Sequence, residues 1–184
     1  MILQVAAITP GRQPEIMEIT NDQVITNSDA EQQYLTFIMA GEEYGVDILA
    51  VQEIRGWEES TLIPNAPAYI KGVINLRGTI VPIMDLRSRF GLDVVEYSPV
   101  TVVIILKYQS EKGERVMGIV VDAVSDVYAI SDQEARRPPE LSEDKNSVFI
   151  RGLATINEKM IILLDVEKLL KFEAQELESC LTEQ

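Results

Sequence analysis

The chain contains no histidine. That absence removes Ser-His-Asp and Cys-His nucleophile arrangements, most zinc and non-haem iron sites, and any phospho-accepting histidine. Cysteine is nearly absent too: Cys180 stands alone, so neither an intrachain disulfide nor a cysteine metal cluster can form, and a reducing cytoplasm is the natural home. Basic residues are scarce, 16 against 30 acidic, giving a formal charge of −14. Such a field repels nucleic-acid phosphate and anionic lipid, and no Lys/Arg-rich run offsets it. Protein partners or small ligands are the default. Long apolar runs are missing as well. Val100 to Leu106 and Met160 to Leu164 fall far short of the roughly 20 residues a membrane helix needs. The first residues lack the basic n-region of a secretory signal. Gly72 and Gly78 do not stand in a GxGxxG or Walker spacing, so no phosphate-cradling loop is indicated.

What is present suits a folded domain. Apolar residues make up 46% of 184, enough for a sizeable core. Residues 1–32 are polar and acidic without a clear period, and read as a mobile tail. The hydrophobic pattern begins at Tyr34. Short runs rich in Val and Ile follow: Leu35–Met39, Gly45–Ile54, Val73–Met84, Val100–Tyr108, Val116–Val127, Phe149–Ile156 and Met160–Leu164. These suit strands, with Ala40–Glu43 and Gln109–Glu114 as hairpin loops. Asp85–Phe90 reads as a short helix stopped at Gly91, and Asp165 to about Leu181 as an amphipathic helix. The predicted fold is mainly β with short helices.

A gapless repeat runs through the chain. Ile70–Leu86 lies on Ile150–Val166 at an offset of 80, matching a basic residue, Gly, apolar stretch, polar turn, apolar stretch and Asp. Gly45–Ile54 lies on Gly118–Val127 at an offset of 73. Two copies of one small β unit are therefore expected, at about 34–92 and about 99–165, packed through a hydrophobic seam. The C-terminal helix is expected from 165, and an acidic tail over 174–184. The Met1 start and missing histidine favour a free-standing chain over a piece of a larger kinase.

Few groupings could carry chemistry. Asp85 and Asp165, one per repeat, invite comparison with a carboxylate pair sharing a proton. Neither is followed by the Thr/Ser-Gly that such a site needs, and Asp between a strand and a helix reads as an N-cap. Asn75-Leu76-Arg77-Gly78 between two apolar runs reads as a tight turn, and equally as a mount for an Arg fork presented to a partner. Glu53 and Arg55 follow Val51 at period 2, as on a solvated strand face. Trp57 with Tyr69 suggests aromatic packing. The C-terminal helix is net acidic, which disfavours a lipid surface.

These motifs together resemble the CheW family of chemotaxis coupling proteins. The resemblance is carried by Glu42-Glu43-Tyr44-Gly45-Val46-Asp47-Ile48, Val51-Gln52-Glu53-Ile54, the stretch Ile70–Arg87 and the stretch Gly118–Val127, and it covers roughly residues 34–172. It implies two SH3-like five-stranded β-barrels in a domain over 33–173. It further implies no catalysis and no cofactor, and a cytoplasmic scaffold recruited to membrane-associated receptor arrays. The implied partners are the regulatory domain of the histidine kinase CheA and the cytoplasmic tip of methyl-accepting chemoreceptors, with no nucleic acid and no membrane insertion. Receptor contacts are implied at Arg77 and near Val46, Ile48, Gly72, Leu76, Val102 and Val127. Kinase contacts are implied at Val51, Glu53 and Arg55, and on the other barrel at Arg136 (with Arg137 a second candidate) and Leu141. The resemblance leaves open an adaptor of a related pathway with another output, such as surface motility or gene expression.

Overall fold

The computed structural model describes residues 31–137 and 146–182. Two runs of five strands each end in an α-helix: β1 (Gln32–Met39), β2 (Glu42–Asp47), β3 (Val51–Gly56), β4 (Ile70–Leu76), β5 (Thr79–Asp85), α1 (Leu86–Arg89), β6 (Val102–Ser110), β7 (Gly113–Val121), β8 (Ala123–Ile130), β9 (Ile150–Ile156), β10 (Lys159–Leu164) and α2 (Val166–Thr182). They form two five-stranded sheets, ordered β8-β1-β2-β10-β9 and β3-β6-β7-β5-β4. The mainly β fold with short helices is the one the sequence predicts. Among the described residues, no helix is long and apolar enough to cross a membrane.

The repeat is real, but its copies are not the sheets. Adding five to each strand number of the second sheet, and wrapping past ten, gives the order of the first. Each sheet therefore takes two strands from one copy and three from the other, which corrects the expected division into sequential halves at 34–92 and 99–165. The physical reason lies at two breaks inside runs that read as single strands. The Gly45–Ile54 run breaks after β2, where Asp47 accepts a bond from the Leu49 amide at 2.9 Å and sets a 3-10 turn over Ile48–Ala50. Its equivalent breaks at Asp122, between β7 and β8. At each break the chain leaves one sheet and enters the other.

The registers agree with both offsets. β10 pairs in parallel with β2, Leu163 opposite Gly45; β5 pairs in parallel with β7, Ile83 opposite Gly118. A Cβ on Gly45 would lie 3.0 Å from Leu163 Cδ2, and one on Gly118 2.5 Å from Ile83 Cδ1, so close approach explains both glycines. Each sheet also closes on itself. Beyond β3 the chain bridges to β4 at Thr61–Val73, and beyond β8 it bridges to β9 at Arg136–Leu153.

Three apolar clusters result. One fills each sheet's own interior: Leu76, Val81, Ile83, Val103, Ile105 and Val120 in the second, and Tyr34, Ile130, Ala154, Ile161 and Leu163 in the first. The third is the expected seam. Leu35, Phe37 and Met39 of β1 meet Ile104, Leu106 and Tyr108 of β6 there, with Leu169 and Leu170 of α2. Strand β6 is buried on both faces from Val103 to Leu106, which is why that part of the run is apolar without alternation. Helix α2 continues to Thr182, so the segment set apart as an acidic tail from 174 is helix for most of its length.

Candidate functional site

Both aspartates of the repeat are committed to helix capping. Asp85 Oδ1 accepts from the Ser88 amide at 3.1 Å, and Asp165 Oδ1 from the Lys168 amide at 3.0 Å. Asp85 is further held: Tyr97 donates its hydroxyl to Oδ2 at 2.6 Å. Burial first, and that bond second, push the Tyr97 pKa well above its usual range. Tyr97 also packs on Trp57, with ring centroids 4.5 Å apart. Tyr69 lies instead against Arg89. The two aromatics flagged in the sequence thus serve separate packing roles.

The hairpin β4–β5 turns on two residues, Arg77 (φ 50°) and Gly78 (φ 88°), with Asn75 Oδ1 accepting from the Gly78 amide at 2.8 Å. Consecutive left-handed residues match the strand twist, but that conformation costs a non-glycine residue roughly 1 kcal/mol. Arg77 sits there 76% exposed, its Nη1 3.0 Å from Glu53 Oε2 on β3. An ion pair this open contributes about 0–1 kcal/mol. A charged side chain is thus displayed on a strained, rigid turn with little structural return.

Arg77 stands at the edge of a groove of about 1180 Å³ between the β4–β5 hairpin, the β6–β7 hairpin and helix α2. Its apolar lining includes Ile80, Pro82 and Val116, and its rim carries Arg77, Arg115 and Lys171. The four basic residues around it (Arg77, Lys112, Arg115 and Lys171) slightly outnumber the three acidic ones, Glu111, Glu114 and Glu178, in a chain of net charge −14.

The residues expected to bind partners do not form one surface. Leu76 and Arg77 border this groove, with Leu76 largely buried. Val46 is 1% exposed and packs in the seam, where Ile48 and Val102 are partly buried beside it. Gly72 is buried at the closure of the second sheet, where a Cβ would meet the Thr61 carbonyl oxygen at 2.2 Å; a backbone crossing accounts for this glycine. Val127 is exposed on β8, in the first sheet. Val51, Glu53 and Arg55 share a face of β3, but it is the half-buried one. Arg55 pairs with Glu58 at 2.9 Å. The solvated face, expected to carry Glu53 and Arg55, carries Gln52 and Ile54 instead. Arg136 is exposed and bridges to β9 through its backbone, with Arg137 exposed next to it. Leu141 lies outside the described residues.

Sequence reasoning missed the matched exposure of Ile54 and Val127, 43% each. They are equivalents at the offset of 73, and each is the large apolar side chain exposed on its strand. It also missed the contribution of α2 to the groove, although the polar side of its helical pattern was visible.

Two closed β sheets joined by an apolar seam, with an open groove beside them, define the class: a paired five-stranded β-barrel module. The comparisons agree with that class. Residues 33–174 match the CheW-like domain, and the chain belongs to that family. It is 49% identical to the chemotaxis protein CheW of Klebsiella aerogenes over 146 residues, which is 79% of this chain and 86% of that one. It is 38% identical to CheW of Rhizobium meliloti over 152 residues, 83% and 94% of the two chains. The crystal structure of the scaffolding protein TtCheW from Thermoanaerobacter tengcongensis is similar at a TM-score of 0.67 and 34% identity, covering 76% of this chain and 87% of that one.

Proposed function

We propose that this protein is a chemotaxis scaffold that couples the regulatory domain of the histidine kinase CheA to the cytoplasmic tips of methyl-accepting chemoreceptors. Family membership supports the scaffold role. The observation that carries the coupling is the placement of Arg77: an exposed guanidinium on a strained two-residue turn, at the mouth of a groove, paired to Glu53 on a neighbouring strand. The paired left-handed residues belong to the hairpin turn itself, as Asn157 and Glu158 show at the equivalent turn between β9 and β10; what supports recognition is the exposed charge placed there.

On this reading Arg77 engages the receptor tip, its fork suiting a carboxylate. Val51, Glu53 and Arg55 serve one kinase contact and Arg136 the other. The scaffold performs no chemistry. It holds two partners at a fixed separation, so that a receptor change biases the kinase's active and inactive populations by differential contacts. Recruitment to the membrane then follows from the receptor, without insertion of this chain. The Arg77–Glu53 pair adds one consequence. The two partner surfaces share an ion pair, so a change at either residue alters the electrostatics of both.

The test is a pull-down of the purified protein with the kinase regulatory domain and the receptor tip, each offered separately. Binding to both is expected. Arg77→Glu should weaken the receptor by roughly 1–3 kcal/mol, the range for a charge-assisted contact, with an unchanged melting curve. Binding to neither partner by a folded protein would overturn the assignment.

A further inference from the structure

The buried face of α2 runs Val166, Leu169, Leu170, Glu173. The spacing is that of a core stripe, and its fourth member is a carboxylate, 1% exposed. Glu173 is met by Arg89, the last residue of α1, whose Nε donates to Glu173 Oε1. The Arg89 guanidinium lies 5.4 Å from the Tyr69 ring centroid and 5.2 Å from that of Phe149. Its Nη1 also donates to Asn146 Oδ1 at 3.3 Å, and Asn146 Nδ2 donates to the Phe90 carbonyl at 3.3 Å. Segments from both copies of the repeat therefore converge on one cation.

A buried ion pair is a poor source of stability, because desolvating both charges offsets most of their attraction. It is a good source of register: an apolar stripe tolerates sliding or rotation, whereas one carboxylate in the stripe satisfies itself only where its partner stands. The register at stake is that of the groove wall, since Lys171, Ala174, Gln175 and Glu178 of α2 line the groove that Arg77 borders.

We infer that Arg89 and Glu173 are a positioning pair, which fixes α2 in the one placement that shapes the groove for a partner. The binding half of this inference rests on the receptor reading above; the placement half does not. The variant that separates placement from stability is the apolar replacement Arg89→Met with Glu173→Met, which removes both charges and leaves neither stranded. Its melting temperature should stay close to that of the parent. Amide hydrogen exchange across α2 should accelerate by about tenfold or more, because the helix samples other placements. Affinity for an isolated receptor tip should fall by about fivefold or more, while the strands of both sheets stay protected. Glu173→Gln, which keeps shape and one acceptor, should shift α2 exchange in the same direction to a smaller extent.

Parent-like exchange across α2 in both variants would overturn the inference. So would global unfolding of both, which would make the pair a requirement of the fold. If the parent itself fails to bind the tip, the receptor reading falls, and the α2 exchange data still decide the placement.

Discussion

Three residues show how local geometry separates folding from recognition. Gly72 (φ 129°) meets the backbone of Thr61, which cannot yield as a flexible side chain would. Gly118 meets the methyl ends of Ile83, Val103 and Ile105 instead. Gly72→Ala should therefore destabilise by roughly 3 kcal/mol or more and Gly118→Ala by roughly 1–3 kcal/mol, read as shifts in the urea midpoint at constant slope. The reverse order would mean that the Thr61–Val73 closure is loose. Arg77 is the opposite case. Arg77→Gly relieves a left-handed residue at φ 50°, so its stability should hold or rise by up to about 1 kcal/mol while receptor binding weakens. A fall in both would make Arg77 a structural residue. The Asn75–Gly78 turn was legible in the sequence, because a two-residue loop between apolar runs needs little beyond Gly and Asn. The partner of Arg77 was not. Glu53 stands on β3 and Arg77 beyond β4, at strands on opposite sides of the sheet order, and only the closure of that sheet brings them within 3.0 Å.

At the scale of elements, the repeat was readable and its interleaving was not. Gapless offsets reveal equivalent strands, but pairing is decided by where the chain crosses between sheets. Those crossings are a single 3-10 turn at Ile48–Ala50 and the residue Asp122. Neither carries Gly or Pro, the usual marks of a break. Asp122 is held after the fact: Arg87 donates Nη2 to its Oδ2 at 2.9 Å and Nε to its Oδ1 at 3.2 Å, and the Ala40 amide donates to Oδ2 at 2.9 Å. The helices were found because their signals are local, an Asp cap before each and Gly91 after the first. The interleaving has a direct consequence. Cutting the chain in the loop before β6 leaves β1–β5 and β6–β10, and neither half contains a complete sheet. Each half alone should be largely unfolded by circular dichroism, and an equimolar mixture should regain strand signal and receptor binding. Independent folding of either half would show that one copy closes a sheet by itself, against the observed strand order.

Across the whole molecule, all six tyrosines lie in or against the seam and the two interiors, and this sets how the fold responds to alkali. Tyr34, Tyr44, Tyr97 and Tyr108 all have pKa values raised above the ordinary 10.0, in each case chiefly by burial. A tyrosine is neutral when protonated, so burial favours the proton-bound form in the native state. Below pH 10 both states keep the proton and these residues add no pH dependence. Above it the unfolded chain releases protons while the native chain retains them, so stability falls with rising pH. Four such residues, spread over all three clusters, add their contributions to the fall. Tyr97 contributes through an identifiable contact, its hydrogen bond to Asp85. Tyr97→Phe should lower stability near neutral pH by about 1 kcal/mol through the loss of that bond. It should also make the alkaline decline shallower, since one proton fewer is released on unfolding. Urea midpoints measured from about pH 8 to about pH 11 for both proteins give the two slopes directly. Equal slopes would show that Tyr97 titrates alike in the folded and unfolded chain.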